Sequence, residues 1–200
     1  MRTTRLSLTL SAALVASLTL AGCAAASPAD SAPTGSAAAD SAPADSAAST
    51  ANDADILFAQ MMIPHHEQAV QMSENLLAKT GGAAEVRTLA TAITAAQQPE
   101  IDQFRSWLEA WGADESLGGM DHGTDGMMSD DDMVELENAS GGDADRLFLD
   151  QMISHHEGAV AMALTEVADG ENPDAVALAE QIASSQADEI ILMRDLLEGM

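Results

Sequence analysis

Positive charge is scarce in this chain: seven Lys and Arg stand against 33 Asp and Glu, a formal net charge of −26. A surface of that sign repels phosphate, which excludes a nucleic-acid or anionic-lipid binding face. Aromatic residues make up 2% of the chain, with no Tyr, so the stacking platforms that single-stranded nucleic acid requires are missing. One cysteine, Cys23, leaves no internal disulfide, no thiolate zinc cage and no iron–sulfur cluster. What the chain does have is 12 Met and five His. Any chemistry it performs falls to those side chains.

Residues 1–22 carry Arg2 and Arg5, then an apolar stretch from Leu6 to Leu20 diluted by Ser and Thr. This is the pattern of a secretory signal, and it is too short for a spanning helix of ~20 residues. It ends in Leu20-Ala21-Gly22-Cys23, which resembles the lipobox of bacterial lipoproteins. That resemblance implies cleavage before Cys23 and lipidation of its thiol. The protein is then expected in the cell envelope, lipid-anchored on the outer face of the cytoplasmic membrane or in the periplasm. Residues 23–54, after the lipidated cysteine, offer no large apolar side chain to bury. They read as a disordered Ala/Ser/Pro/Asp tether, and the folded domain is expected over residues 55–200.

That domain is a duplication. At an offset of 90, Phe58, Met62, Ile63, His65, His66, Glu67, Ala69, Val70 and Met72 recur as Phe148, Met152, Ile153, His155, His156, Glu157, Ala159, Val160 and Met162. At an offset of 89, Leu89, Ile93, Gln97, Glu100, Ile101, Arg105 and Leu108 recur as Leu178, Ile182, Gln186, Glu189, Ile190, Arg194 and Leu197. The repeats span 55–111 and 145–198, each as two segments of helical periodicity. Gly81-Gly82 divides the first pair, Gly112 ends it, and Asn172-Pro173 opens the last helix. Ser129 with Asp132 predicts a capping box for a short connecting helix, stopped near Gly141-Gly142. Pro64 and Pro99 should kink the first two helices, while their counterparts Ser154 and Ala187 leave the second pair straighter. The expectation is all-α: a ferritin-like four-helix bundle of two helical hairpins joined by a Met/His-containing crossover.

At ~100° per residue, Phe58, His65, His66, Ala69, Met72 and Leu76 fall within about 80° of Met62, and Glu67 falls near the opposite side. The same holds for Phe148, Met152, His155, His156 and Met162, with Glu157 outside. A lone Met at helical spacing is ordinary core filler. Adjacent His pairs on a buried face, present twice, are different, because neutral imidazoles must be desolvated and paired, and a metal pairs them well. Carboxylate-rich iron chemistry in a bundle uses Glu-x-x-His, but Met62, Ile63, Met152 and Ile153 stand three residues before the histidines. Thioether with imidazole and without thiolate favours copper, as Cu(I) or Cu(II). Zinc held by His alone is the less favoured alternative. The crossover adds Met120, His122, Met127 and Met128 in a Gly-rich stretch with no core to fill, suited to a mobile metal-capturing arm. Met193, on the last helix, is either core filler or a ligand; its repeat counterpart is Phe104.

The paired M-I-x-H-H-E-x-A-V-x-M motifs, the H-G of the crossover and the later E-I-x-x-M-R resemble the bacterial family called domain of unknown function 305, over roughly residues 55–198. The resemblance implies a ferritin-like bundle, often secreted or lipid-anchored, with copper binding and copper tolerance in some members. Carried over by position, it implicates Met62, His65, His66, Met72, Met152, His155, His156, Met162 and Met193, and Phe104 breaks the symmetry of that set. The reading is an extracytoplasmic, lipid-anchored protein that sequesters or transfers copper and is not an enzyme. Its partners would be the membrane, through Cys23, the metal ion, and a copper chaperone or transporter. The alternatives are a ferritin-like metal oxidase, which needs carboxylates facing the core, and a structural bundle without metal.

Overall fold

The computed structural model describes residues 50–116 and 126–200. The signal segment, Cys23, most of the tether, and Met120 and His122 of the crossover lie outside the described residues. Five helices run in order: α1 Asp53–Ala78, α2 Ala84–Trp111, α3 Asp130–Asn138, α4 Gly141–Asp169 and α5 Pro173–Glu198. There is no strand among the described residues. The four long helices form the expected all-α bundle, with α1 packed on α2, α4 on α5, and α1 against α4.

Local chemistry sets the helix limits. Asn52 accepts from the amides of Ala54 and Asp55, while Asp55 accepts from Asn52 N in return; such a box contributes about 1 kcal/mol. Ser129 and Asp132 form the predicted box at the start of α3, and Asn172 caps α5 with Pro173 in its first turn. Gly81, Gly82 and Gly112 take positive φ of 86°, 84° and 69°, a region other residues enter at a cost. Gly141-Gly142 departs from expectation. α3 already ends at Asn138, and Gly141, with φ 58°, opens α4. The reversal between the two helices needs a left-handed residue, so these glycines begin a helix instead of ending one. Pro64 and Pro99 lie on exposed faces inside α1 and α2, which both continue past them.

The two hairpins are fastened by carboxylates that reach across the repeat. Asp55 on α1 accepts from the amides of Glu171 and Asn172 ahead of α5, the latter at 2.9 Å. Its repeat counterpart Asp145, on α4, accepts from Ala83 N ahead of α2 at 2.6 Å. Each half therefore secures the helical turn of the other. Both aspartates are buried, and their acceptors satisfy amides that a helix start leaves without partners.

Asn52 Nδ2 donates to the carbonyl of Asp169 at 2.8 Å, so the start of α1 meets the end of α4. The core divides accordingly into two apolar clusters. One gathers Phe58 and Met62 with Ala159, Ala163 and Phe104. The other gathers Phe148 and Met152 with Ala69, Met72 and Met193, covered by Leu136 of α3. The intervening residues on α1 and α4 include the two His pairs.

Candidate metal centre

All four motif histidines are buried. The rings of His65 and His155 lie 3.7 Å apart between centroids and tilted by 41°, so α1 and α4 meet imidazole to imidazole at mid-bundle. The helical sums predict this meeting. Glu67 and Glu157 point outward as expected, paired with Arg105 and Arg194 at 2.5 and 2.6 Å.

The other two histidines show what those sums on α1 and α4 did not reach. His66 Nε2 lies 2.8 Å from Glu100 Oε2 on α2, and His156 Nε2 lies 2.7 Å from Glu189 Oε2 on α5. Glu100 and Glu189 are repeat counterparts, so the arrangement occurs twice. A carboxylate accepts only, so each Nε2 carries the proton and each Nδ1 presents a lone pair. Both Nδ1 atoms, of His66 and His156, are buried without a hydrogen-bond partner. Leaving two such acceptors dry is unfavourable by roughly 1–3 kcal/mol each. A carboxylate that orients a histidine is the usual support behind a metal ligand. The signal was present in the second block of repeat matches, where Glu100 and Glu189 align. Glu67 and Glu157 face outward as the helical sums expect, but Glu100 and Glu189 supply carboxylates that reach inward.

Burial disfavours the charged form of His155 and His66. His155 is held well below the ordinary imidazole range, first by desolvation and then by the neighbouring imidazoles of His65, His156 and His66. Desolvation also lowers His66, with Glu100 opposing. Neutral imidazole is the form that binds a cation.

The methionines divide among distinct environments. Met62 lies one turn from His65 and His66 on α1, and Met152 stands likewise before His155 and His156; both are fully buried. Met72 and Met193 are also fully buried, in the cluster that holds Met152. Phe104, the counterpart of Met193, instead sets its ring near His66, with centroids 5.8 Å apart. Met162 departs from the inward set. It is half-buried at the edge of the other cluster and lines a surface groove. Met127 and Met128 are half-buried as well. Met128 packs on the core, and its backbone exchanges two hydrogen bonds with the side chain of Gln68, at 2.9 and 2.7 Å. Those bonds and contacts hold it in place, so the expectation of a mobile arm with no core to fill does not hold for Met128.

Among the described residues, no three His, Cys, Asp or Glu side chains stand together as a metal-holding group. A metal in this layer would draw on thioether sulfur as well as imidazole nitrogen. The donor set present, partner-lacking Nδ1 atoms beside buried Met, fits a soft or borderline cation.

Comparison with protein families matches residues 55–197 to "Domain of unknown function (DUF305)". Among solved structures, a DUF305 protein of Streptomyces coelicolor, described as a putative secreted protein, is 34% identical with a TM-score of 0.67; the match covers 73% of this chain and 93% of that one. A DUF305 fragment from Deinococcus radiodurans is 31% identical with a TM-score of 0.69, covering 76% and 99%. CopM in its Cu(I)-bound form is 31% identical with a TM-score of 0.62, covering 72% and 96%. Its Cu(II)-bound form is similar at 32% and 0.63, over 72% and 96%. Comparison with curated proteins gives no match.

Proposed function

The chain belongs to the DUF305 family, and we propose that it is an extracytoplasmic copper-binding protein, lipid-anchored through Cys23, that sequesters or transfers the metal without turning over a substrate. The observation that carries this reading is the pair of buried Nδ1 atoms on His66 and His156, each oriented by a carboxylate beside the His65–His155 contact. His65, His66, His155 and His156 would supply imidazole, and Met62, Met152 and Met193 would supply thioether. Cu(I) suits the sulfur and both oxidation states suit the nitrogen. The copper- and silver-bound forms of CopM support the choice of metal. The secreted relative and the lipobox-like start support the location. Transfer would require a copper chaperone or transporter as partner, and the buried donors suit holding a cation more than reacting at one.

The test is titration of the apo-protein with Cu(I) and Cu(II), together with Glu100→Gln and Glu189→Gln. A glutamine amide donates as well as accepts and no longer fixes the tautomer, so each variant should weaken binding by about 10–100-fold. Nitrogen-15 shifts of the histidine rings should show metal arriving at Nδ1. Undiminished affinity in both variants, or binding through Nε2, would refute the assignment.

A second reading draws on the same two glutamates, since inward carboxylates are what a ferritin-like oxidase uses. Here each is engaged with a histidine Nε2, which favours support over ligation. Oxygen consumption on adding Fe(II) would turn the balance toward the oxidase.

A further inference from the structure

Helix α3 covers only one of two equivalent surfaces. Where α4 begins and α1 ends, Leu136 is buried in the cluster that holds Met72 and Phe148. There Gln151 Nε2 donates to the carbonyl of Asp132 at 3.0 Å. The repeat places a second such surface where α1 begins and α4 ends, and no helix lies across it among the described residues. It is instead a cavity of about 280 Å³ lined by Leu57, Phe58, Met61, Met162, Thr165 and Glu166, among others. Met162 is the counterpart of the sealed Met72, and Met61 stands where the other half has Gln151.

We propose that this open groove is a second, solvent-reachable site for a soft monovalent cation such as Cu(I), held by the thioethers of Met61 and Met162. It rests on the copper reading above. Met61 comes from α1 and Met162 from α4, so the two sulfur-bearing side chains approach from different helices. Both are half-buried, unlike Met62, Met72, Met152 and Met193, which no solvent reaches. Thioethers attract soft cations and discriminate against hard ones. No Lys or Arg lines the groove, and the carboxyl group of Asp169 stands along it. The chain's net charge of −26 draws cations toward any such opening. Phe58 forms part of the wall and packs in the cluster that contains Met62. The groove therefore backs onto the buried centre.

The test uses Ag(I), a redox-inert stand-in for Cu(I), on the purified protein with carbon-13 labelled methionine methyl groups. Native mass spectrometry counts the bound ions. Binding should shift the methyl signals of Met61 and Met162, and Met61→Leu with Met162→Leu should lose one equivalent while the ring shifts of His66 and His156 on metal addition persist. Met133→Leu, a half-buried methionine outside the groove, should change neither. Circular dichroism confirms that the volume-conserving leucines leave the fold intact. If the histidines respond and the Met61 and Met162 methyls do not, or if the double variant keeps every equivalent, the groove site is wrong and the buried centre stands. If the two methyls respond and the histidines do not, the buried centre is wrong and the groove stands. Silence at both overturns both.

Discussion

Around Phe148 the bundle buries Met72, Met152 and Met193 together beneath α3. Around Phe58 it buries Met62 alone, with Phe104 in the place of Met193 and Met162 at the edge of an open groove. One set of polar connections did not drift in this way, although Gln151 and Glu166 have Met61 and Leu76 as counterparts. His66–Glu100 and His156–Glu189, Glu67–Arg105 and Glu157–Arg194, and the capping aspartates Asp55 and Asp145 all occur in both halves. A buried polar group tolerates no change of partner without a lost hydrogen bond, whereas one apolar side chain replaces another at small cost. The duplication has kept these connections and varied the apolar filling around them.

The sharpest way to break the comparison is to remove the cover from the closed half. Leu136→Ala should cost about 4 kcal/mol in denaturant unfolding, since the side chain is fully buried and is the one residue of α3 that is. In the same variant Met72 should oxidise in peroxide nearly as readily as Met162, which peptide mass mapping would detect. Retained protection of Met72 would mean that α3 is not its cover.

The two capping aspartates should separate next. Asp55 receives amides from Asn52, Glu171 and Asn172, and Asp145 receives Ala83 N. Asp55→Ala is expected to cost about 3 kcal/mol and Asp145→Ala about 1.5 kcal/mol, because more amides lose their acceptor in the first. Equal losses would show that the crossed caps are not the source of the difference.

The smallest effect concerns Glu166, a buried acid whose counterpart is Leu76. Burial and the neighbouring Asp55 push its carboxyl up to about 8 from 4.5, while amide hydrogen bonds, working against burial, leave Asp55 lowered. The folded state thus binds a proton at Glu166 that the unfolded chain releases above 4.5. Through this group, stability is complete below that pH and is lost as pH rises toward about 8. Glu166→Gln keeps a donor for Asp55 and does not titrate. Its stability relative to the parent should grow with pH across this window, by on the order of 2 kcal/mol, and then level off. A constant difference across that range would remove Glu166 from the account.

How much of this was legible in the residues depended on whether the signal lay within one helix. The facing of His65, His66, His155 and His156 follows from angular position alone, and the structure agrees. So do the caps at Asn172 and Ser129. Glu100 and Glu189 were visible as repeat matches, yet their inward reach depends on how α2 and α5 lie against α1 and α4, and a single helical sum does not contain that. Asp55 and Asp145 resemble surface acids until the opposite turn arrives to donate its amides. Met72 and Met162 hold the same place in the motif, and only the packing of the other helices around them makes one buried and the other half-buried. Gly141-Gly142 carries a turn signal that two adjacent helices could each claim.

The crossed caps bear on where such a chain comes from. Asp55 acts on the second hairpin and Asp145 on the first, so the surface between the hairpins is isologous in all but covalent continuity. A chain of one hairpin would carry both the carboxylate and the amides it answers to, but could satisfy them only on another copy of itself. Severed within the crossover, the two hairpins should therefore find each other again as separate polypeptides. Joined in one chain, the two sides are free to differ, as Met193 and Phe104 do.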